Sequence, residues 1–156
     1  MRILLLLFIS LFSISAFSQV ALLPNEKALL EFRTIDNDNI VVASDTSFEY
    51  IYVKYAKDNK LIFDFPADKT RSRILFDYSY YYRGGGAENE GLDLNYLTFI
   101  FENSLYEIYQ EYSAVDEKTR CGIKITDLTS GKEKDLESDP ATIKGNLNEV
   151  RHLDSE

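Results

Sequence analysis

Cysteine and histidine each occur only once in the 156 residues, at Cys121 and His152. A single cysteine excludes an intrachain disulfide, so the core alone has to stabilise the fold. A single histidine close to the C-terminus argues against nucleophilic catalysis, which needs a histidine held in place as a base. The same scarcity argues against a zinc site, which needs three or four nitrogen and sulfur ligands. We therefore predict no metal and no enzymatic activity.

Glycine-rich phosphate-binding motifs are also missing. The stretch 130–133 resembles the end of a phosphate loop, but Glu133 stands where serine or threonine is needed. Gly84 and Gly86 lack the third glycine of a dinucleotide fingerprint, because Asn89 occupies its position. We therefore expect no cofactor.

Basic residues are outnumbered in this chain. Asp and Glu number 26 against 17 Lys and Arg, which gives a formal net charge of -9. This excess argues against nucleic acid, whose phosphates need Lys and Arg for neutralisation, and against an anionic membrane surface. Because complementary fields favour association, the expected partner is a cationic protein. Solubility alone is the simpler interpretation of the same charge.

A long apolar run occurs only at the N-terminus. Arg2 precedes the apolar run Ile3–Ile14, and small residues then stand at the third and first positions before Gln19. This order is typical of a secretory signal peptide, which we place at 1–18. An uncleaved anchor continuing to Leu23 would have to bury several serines and Gln19. We therefore expect a soluble exported protein, periplasmic or extracellular, with no membrane insertion after cleavage.

The rest of the chain is typical of one β-rich domain, 19–139, followed by a weakly structured tail, 140–156, where apolar residues thin out. Polar stretches at 36–39, 57–60 and 129–132 connect runs rich in apolar residues. Asp, Asn and Gly tolerate the backbone geometry of tight turns, so each stretch predicts a hairpin. Short strands at hairpin spacing predict an all-β fold, an antiparallel meander forming a small sandwich or barrel.

One segment, Leu105–Val115, fits two periodicities. Tyr106, Ile108 and Tyr112 share one face of a strand, yet apolar residues also recur at helical spacing along the same segment. Three tyrosines and an isoleucine favour the strand. We predict a strand and keep the helix as the alternative.

The stretch 74–101 predicts two aromatic strands, 74–83 and 92–101, joined by the loop 84–91, which holds four of the seven glycines. Tyr78, Tyr80 and Tyr82 alternate with polar residues on the first strand. Side chains at every second position share one face of a strand, and an apolar face of this kind usually packs in the core. We therefore predict that these three rings are buried. The second strand is apolar on both faces after residue 93, which predicts a central position in a sheet.

Binding is expected at this loop, because function concentrates in loops and because tyrosine gives a large contact area at low entropy cost. A loose structural connection without a binding role is the alternative. The candidate binding residues are Tyr81, Arg83, Gly84, Gly85, Gly86, Glu88, Glu90 and Asp93.

Three functions are compatible with these features. The leading hypothesis is a secreted non-enzymatic binding module, such as an inhibitor or immunity-type protein for a cationic partner. The second is an envelope carbohydrate hydrolase that uses Glu88, Glu90 or Asp93, although a glycine-rich loop is a poor support for a catalytic carboxylate pair. The third is a structural envelope protein, linked between chains through Cys121. Otherwise we expect Cys121 to be a small buried residue.

Overall fold

The computed structural model describes residues 22–86 and 90–153, which form ten β-strands and three short 3₁₀ helices. In chain order the strands are β1 (Glu26–Arg33), β2 (Asn39–Asp45), β3 (Ile51–Lys57), β4 (Lys60–Phe65), β5 (Phe76–Arg83), β6 (Leu92–Phe101), β7 (Ser104–Ser113), β8 (Lys118–Asp127), β9 (Glu133–Glu137) and β10 (Lys144–Gly145). The 3₁₀ helices are Lys69–Leu75, Pro140–Thr142 and Leu147–Leu153.

The strands form two antiparallel sheets of five strands each. The first sheet has the order β10-β1-β2-β3-β4, and the second is the meander β5-β6-β7-β8-β9. Residues of both sheets belong to one hydrophobic core, so the two sheets form the layers of a sandwich. The predicted all-β antiparallel fold is confirmed, whereas the predicted signal peptide, 1–18, lies outside the described residues.

Two-residue turns connect several of the hairpins. Asp58 and Asn59 have φ angles of 49° and 62° between β3 and β4, and Glu102 and Asn103 have φ angles of 44° and 62° between β6 and β7. Positive φ at both turn positions gives a twist that matches the right-handed twist of the flanking strands. The hairpin predicted around 57–60 is therefore confirmed together with its turn chemistry.

The ambiguous segment after the second of these turns is a strand. β7 pairs along its whole length with β6 on one side and with β8 on the other. Ile108 is fully buried on the face toward the first sheet, and Tyr106 packs against the same core. The strand prediction is confirmed. The backbone N–H and C=O groups of this segment bond to the two neighbouring strands, whereas in a helix they would bond within the segment.

Aromatic rings from both sheets meet in the core. Phe65 on β4 stacks on Phe99 of β6 with ring centroids 5.0 Å apart, and it contacts Phe76 of β5 edge-on at 5.6 Å. Phe63, also on β4, contacts Tyr106 of β7 at 5.2 Å. These separations lie in the range that favours aromatic pairs. β4 is thereby held across three strands of the second sheet.

The C-terminal segment belongs to the core, which differs from the expectation of a weakly structured tail. β10 pairs with β1, and Leu147 and Val150 of the last 3₁₀ helix are 0% and 2% exposed. The amide nitrogen of Leu147 donates to Oε1 of Gln110 on β7 at 2.8 Å. Strand pairing, two buried apolar residues and this hydrogen bond dock the segment. Apolar residues so widely spaced show no periodicity in the sequence, so the docking could not be predicted from it.

Leu147→Ala is therefore expected to lower the free energy of unfolding by about 2–5 kcal/mol, because it leaves a cavity in the core. Val115→Ala is the matched control, since Val115 is exposed, and it should change stability by less than ~0.5 kcal/mol. Denaturant unfolding measures both values. Equally small changes would contradict the docking of the C-terminal segment.

A buried carboxylate organises the outer face of the first sheet. Glu26 on β1 accepts hydrogen bonds from Tyr52 Oη at 2.5 Å, Lys69 Nζ at 2.7 Å, the Leu23 amide at 2.8 Å and Tyr50 Oη at 3.0 Å. Burial raises the pKa of Glu26, but these donors outweigh it and bring the pKa down to about 2. The carboxylate therefore connects the start of β1 with β3 and with the first 3₁₀ helix.

Glu26→Gln is expected to remove an acid-sensitive part of the stability. Because the pKa of Glu26 falls from an ordinary 4.5 to about 2 on folding, its contribution is fully present above the unfolded value and is lost as the pH falls through this window. The difference in unfolding free energy between wild type and variant should shrink by on the order of 3 kcal/mol across the window. Denaturation at a series of pH values measures it, with the exposed Glu49→Gln as control. The same pH dependence of the unfolding free energy in wild type and in Glu26→Gln would contradict this role.

Candidate functional site

The tyrosines beside the glycine loop lie at an open end of the second sheet. Tyr80 and Tyr82 are 57% and 64% exposed, so the prediction that they are buried was wrong. They do share the core-facing side of β5 with Tyr78, which is half-buried. The strands β6, β7 and β8 have ten residues each, whereas β1 to β4 have six to eight. The alternation of tyrosines along β5 thus identifies which side chains share a face of the strand. It does not show how much of that face the first sheet covers.

A polar network holds the last 3₁₀ helix on this end. Tyr78 Oη donates to Oδ1 of Asn95 at 2.6 Å, and Arg151 donates to Asp93 Oδ1 at 2.5 Å and to Asn95 Oδ1 at 2.8 Å. The Arg151 guanidinium also lies 4.3 Å from the centroid of the Tyr80 ring. Asp93 is therefore an ion-pair partner of Arg151 in a structural network.

Strand alternation divides the predicted binding residues between two faces of the second sheet. Asp93 pairs with Tyr82 on the core-facing side, whereas Tyr81 and Arg83 point to the outer side. Arg83 Nε donates to the carbonyl oxygen of Glu90 at 2.9 Å, which ties the two ends of the loop together.

The rest of the predicted set lies in the loop itself. Gly84, Gly85, Gly86 and Glu90 are exposed, and Glu88 lies outside the described residues. The structure therefore keeps Tyr81, Arg83 and the loop close together but places Asp93 on the opposite face.

A groove of about 1200 Å³ begins on the outer face of the second sheet and continues to the C-terminal segment, where Ile143, Gly145 and Asn146 also line it. Tyr96 of β6 and Tyr109 of β7 line it, and it extends to the start of β8, which β9 does not reach. Tyr81 lies on the same face, because it pairs with Leu94 and Leu94 pairs with Glu111 of the groove. The groove therefore begins next to the predicted binding strand.

Carboxylates outnumber bases in the groove. The acidic lining residues are Glu107, Glu111, Glu117, Asp135 and Glu137. The basic ones are Lys118, Arg120 and Lys124. Lys124 pairs with Glu107 at 3.3 Å, and Arg120 pairs with Asp116. Two of the three bases are thus already neutralised within the chain, and the groove is acidic.

Two phenols hold two of these carboxylates. Tyr96 Oη donates to Oε1 of Glu111 at 2.7 Å, and Tyr109 Oη donates to Oδ1 of Asp135 at 3.0 Å. Burial and the neighbouring carboxylate raise the pKa of Tyr96 to about 12, and the same causes raise the pKa of Tyr109. Both phenols therefore remain protonated and keep the two carboxylates oriented.

Tyr109 reaches across the sheet because its neighbour on β8 has no side chain. A Cβ on Gly122 would lie 2.6 Å from Cζ of Tyr109 and 2.8 Å from the carbonyl oxygen of Leu136. Only glycine leaves space for the ring here. Neither Tyr96 nor Tyr109 was among the predicted site residues, although a glycine inside a strand is the signal that points to such a close approach.

The two described carboxylates, Glu90 and Asp93, do not form a held pair. A glycosidase needs two carboxylates at a fixed separation inside a rigid shell. Glu90 is exposed in the loop, and Asp93 is bound to Arg151 on the core-facing side. Within 22–86 and 90–153, no group of three or more His, Cys, Asp or Glu side chains is placed to hold a metal ion.

The single cysteine is buried, whereas the single histidine is exposed. Cys121 is 3% exposed, and burial raises the pKa of its thiol to about 12. The prediction of a small buried residue is confirmed for Cys121, and a thiol with this pKa is a poor nucleophile. The His152 ring lies 5.9 Å from the ring of Phe48.

Comparison with known protein families, with curated proteins and with solved structures gives no match. Among the residues that the structure describes, no helix is long and apolar enough to cross a membrane.

Gly122→Ala should displace Tyr109 and lower the unfolding free energy by about 1–3 kcal/mol, as overpacking does. Gly86→Ala is the matched control, because a Cβ on Gly86 meets nothing within 4 Å, and it should cost less than ~0.5–1 kcal/mol. Denaturant unfolding compares the two. An equal cost for both would contradict the close contact between Gly122 and Tyr109.

Proposed function

We propose that the protein is a secreted, non-enzymatic binding module that captures a cationic protein in the groove of the second sheet. The observation that carries this proposal is the charge of the groove, in which five carboxylates face three bases and two of those bases have partners in the chain. A cationic surface would neutralise this excess. The net charge of -9 would also accelerate the encounter with such a partner.

The lining favours a segment of a protein over a small apolar molecule. Pockets for small molecules are mostly apolar and enclose their ligand, whereas this groove is open and rich in charge. Its tyrosines offer aromatic faces to Lys or Arg side chains, and cation–π contacts of this kind favour binding. Lys and Arg side chains of an extended segment would meet both the carboxylates and the rings.

The groove is also prepared for binding before the partner arrives. The bonds from Tyr96 to Glu111 and from Tyr109 to Asp135 fix two carboxylates on the sheet. Less side-chain freedom is then lost on association, which favours affinity. A rigid acidic surface of this kind suits an inhibitor or immunity-type protein that covers the active surface of a basic hydrolase.

The double variant Glu111→Gln with Asp135→Asn should weaken binding of an oligolysine peptide by roughly three- to thirty-fold at low salt, because two attractive charges are removed while both acceptors remain. Isothermal titration calorimetry at low and high salt measures the affinity, and the difference should narrow at high salt.

The control for this experiment is Glu49→Gln with Asp58→Asn, which removes the same two charges at exposed positions outside the groove. This control should bind the peptide nearly as wild type does. Equal loss in both double variants would show that net charge alone attracts the peptide, and the groove would not be the binding site.

A further inference from the structure

Within residues 22–86 and 90–153, β5 is an edge strand that lacks the usual protection against pairing with another chain. Sheet edges are normally blunted by charges, shortness, proline or bulges. In this chain β9 is mostly charged, β10 has two residues, and β4 has an irregular register and ends before Pro66. β5 has eight residues in regular register, and no charge lies between Asp77 and Arg83.

The outer edge of β5 also carries exposed aromatic surface. Tyr80, Tyr81 and Tyr82 are each more than half exposed, at three consecutive positions of the strand. Tyr80 and Tyr82 lie on one side of the sheet and Tyr81 on the other, so apolar surface is available above and below the edge. An exposed regular strand of this composition favours addition of a further strand.

The hydrogen-bond pattern shows which backbone groups of β5 point outward. The Ala114 amide donates to the Gly91 carbonyl at 2.9 Å, which continues the ladder between β6 and β7 by one step. Because bonded and non-bonded pairs alternate in antiparallel sheets, the odd-numbered residues of β6 bond to β7 and the even-numbered ones bond to β5. Their partners on β5 are odd-numbered, so Tyr78, Tyr80 and Tyr82 direct their N–H and C=O groups away from the sheet.

We propose that β5 pairs antiparallel with β5 of a second copy of this chain, with Tyr80 opposite Tyr80, so that the two five-stranded sheets become continuous. A two-fold axis through the centre of such a pair makes the contact closed and self-complementary. In this register Tyr78 lies opposite Tyr82 of the second copy, and all three outward-directed tyrosines form hydrogen-bonded pairs. The exposed rings become cross-strand neighbours, which stabilises sheets.

Charge complementarity selects this register. With Tyr80 at the centre, Asp77 lies opposite Arg83 of the second copy, and the symmetric pair forms on the other side. Both residues lie on the outer face and form non-hydrogen-bonded pairs, in which side chains approach most closely. The two adjacent symmetric registers, centred on Ser79 or on Tyr81, leave both charges opposite uncharged residues. The bond from Arg83 to Glu90 uses Nε, so the terminal guanidinium nitrogens remain for Asp77.

A charge-reversal experiment tests both the contact and its register. Asp77→Arg places two cations opposite each other in the symmetric pair, and Arg83→Asp places two anions opposite each other. Each single variant should dimerise roughly tenfold or more weakly than wild type. An equimolar mixture of the two should form a heterodimer, because both cross-strand pairs are then of opposite charge. Sedimentation velocity over a wide concentration range measures all four samples.

The controls separate this contact from non-specific association and from misfolding. Asp58→Arg reverses a charge at an exposed turn of the first sheet and should dimerise as wild type does. Restored dimerisation in the mixture shows that both single variants are folded. If the wild type stays monomeric at every concentration, the proposal is overturned. β5 would then be available only to a strand of a different protein. Single variants that dimerise as strongly as wild type, or a mixture that stays monomeric, also overturn the proposal.

Discussion

Aromatic packing between the two sheets is the contact on which the rest of this structure depends. The single cysteine excludes an intrachain disulfide, so burial of apolar surface has to hold the layers together. Phe63 and Phe65 of β4 supply that contact through the rings of the second sheet. The chain passes from β4 through a short 3₁₀ helix into β5, and Phe76 contacts Phe65 at its start. This contact therefore also fixes where the edge strand begins.

The strands and hairpins could be predicted because their signals are local. Asp58 and Asn59 tolerate positive φ, and the aromatic runs on either side fit a pleated, half-buried surface. The same reasoning placed Leu105–Val115 in a strand. It did not predict the exposure of Tyr80 and Tyr82, because alternation identifies the shared face but not the extent of the covering sheet. It also missed the docking of Leu147, whose burial depends on Gln110, 37 positions earlier.

The groove depends on strand register, which a single sequence specifies only weakly. Tyr109 becomes a groove residue because it lies opposite Gly122 and reaches Asp135 two strands away. A shift of one residue would turn each side chain of β8 to the other face of the sheet. Tyr81 and Arg83 could be selected from the sequence because they flank a glycine loop. The relation of Tyr81 to Glu111, through Leu94, appears only when three strands are aligned.

The two proposals reinforce each other through symmetry. A two-fold axis perpendicular to a continuous sheet leaves the outer faces of both copies on the same side, with Tyr81 of each copy near the junction. Two acidic grooves would then face one partner, or two partners, from a single surface. Binding of a second cationic segment becomes intramolecular once the first is held, so avidity exceeds the affinity of either groove. The partner would also link the two copies, and by mass action it would stabilise the edge contact between them. Dimerisation and capture of a basic protein would thus be coupled, although the first uses the edge of β5 and the second uses the groove lined by β6 to β9.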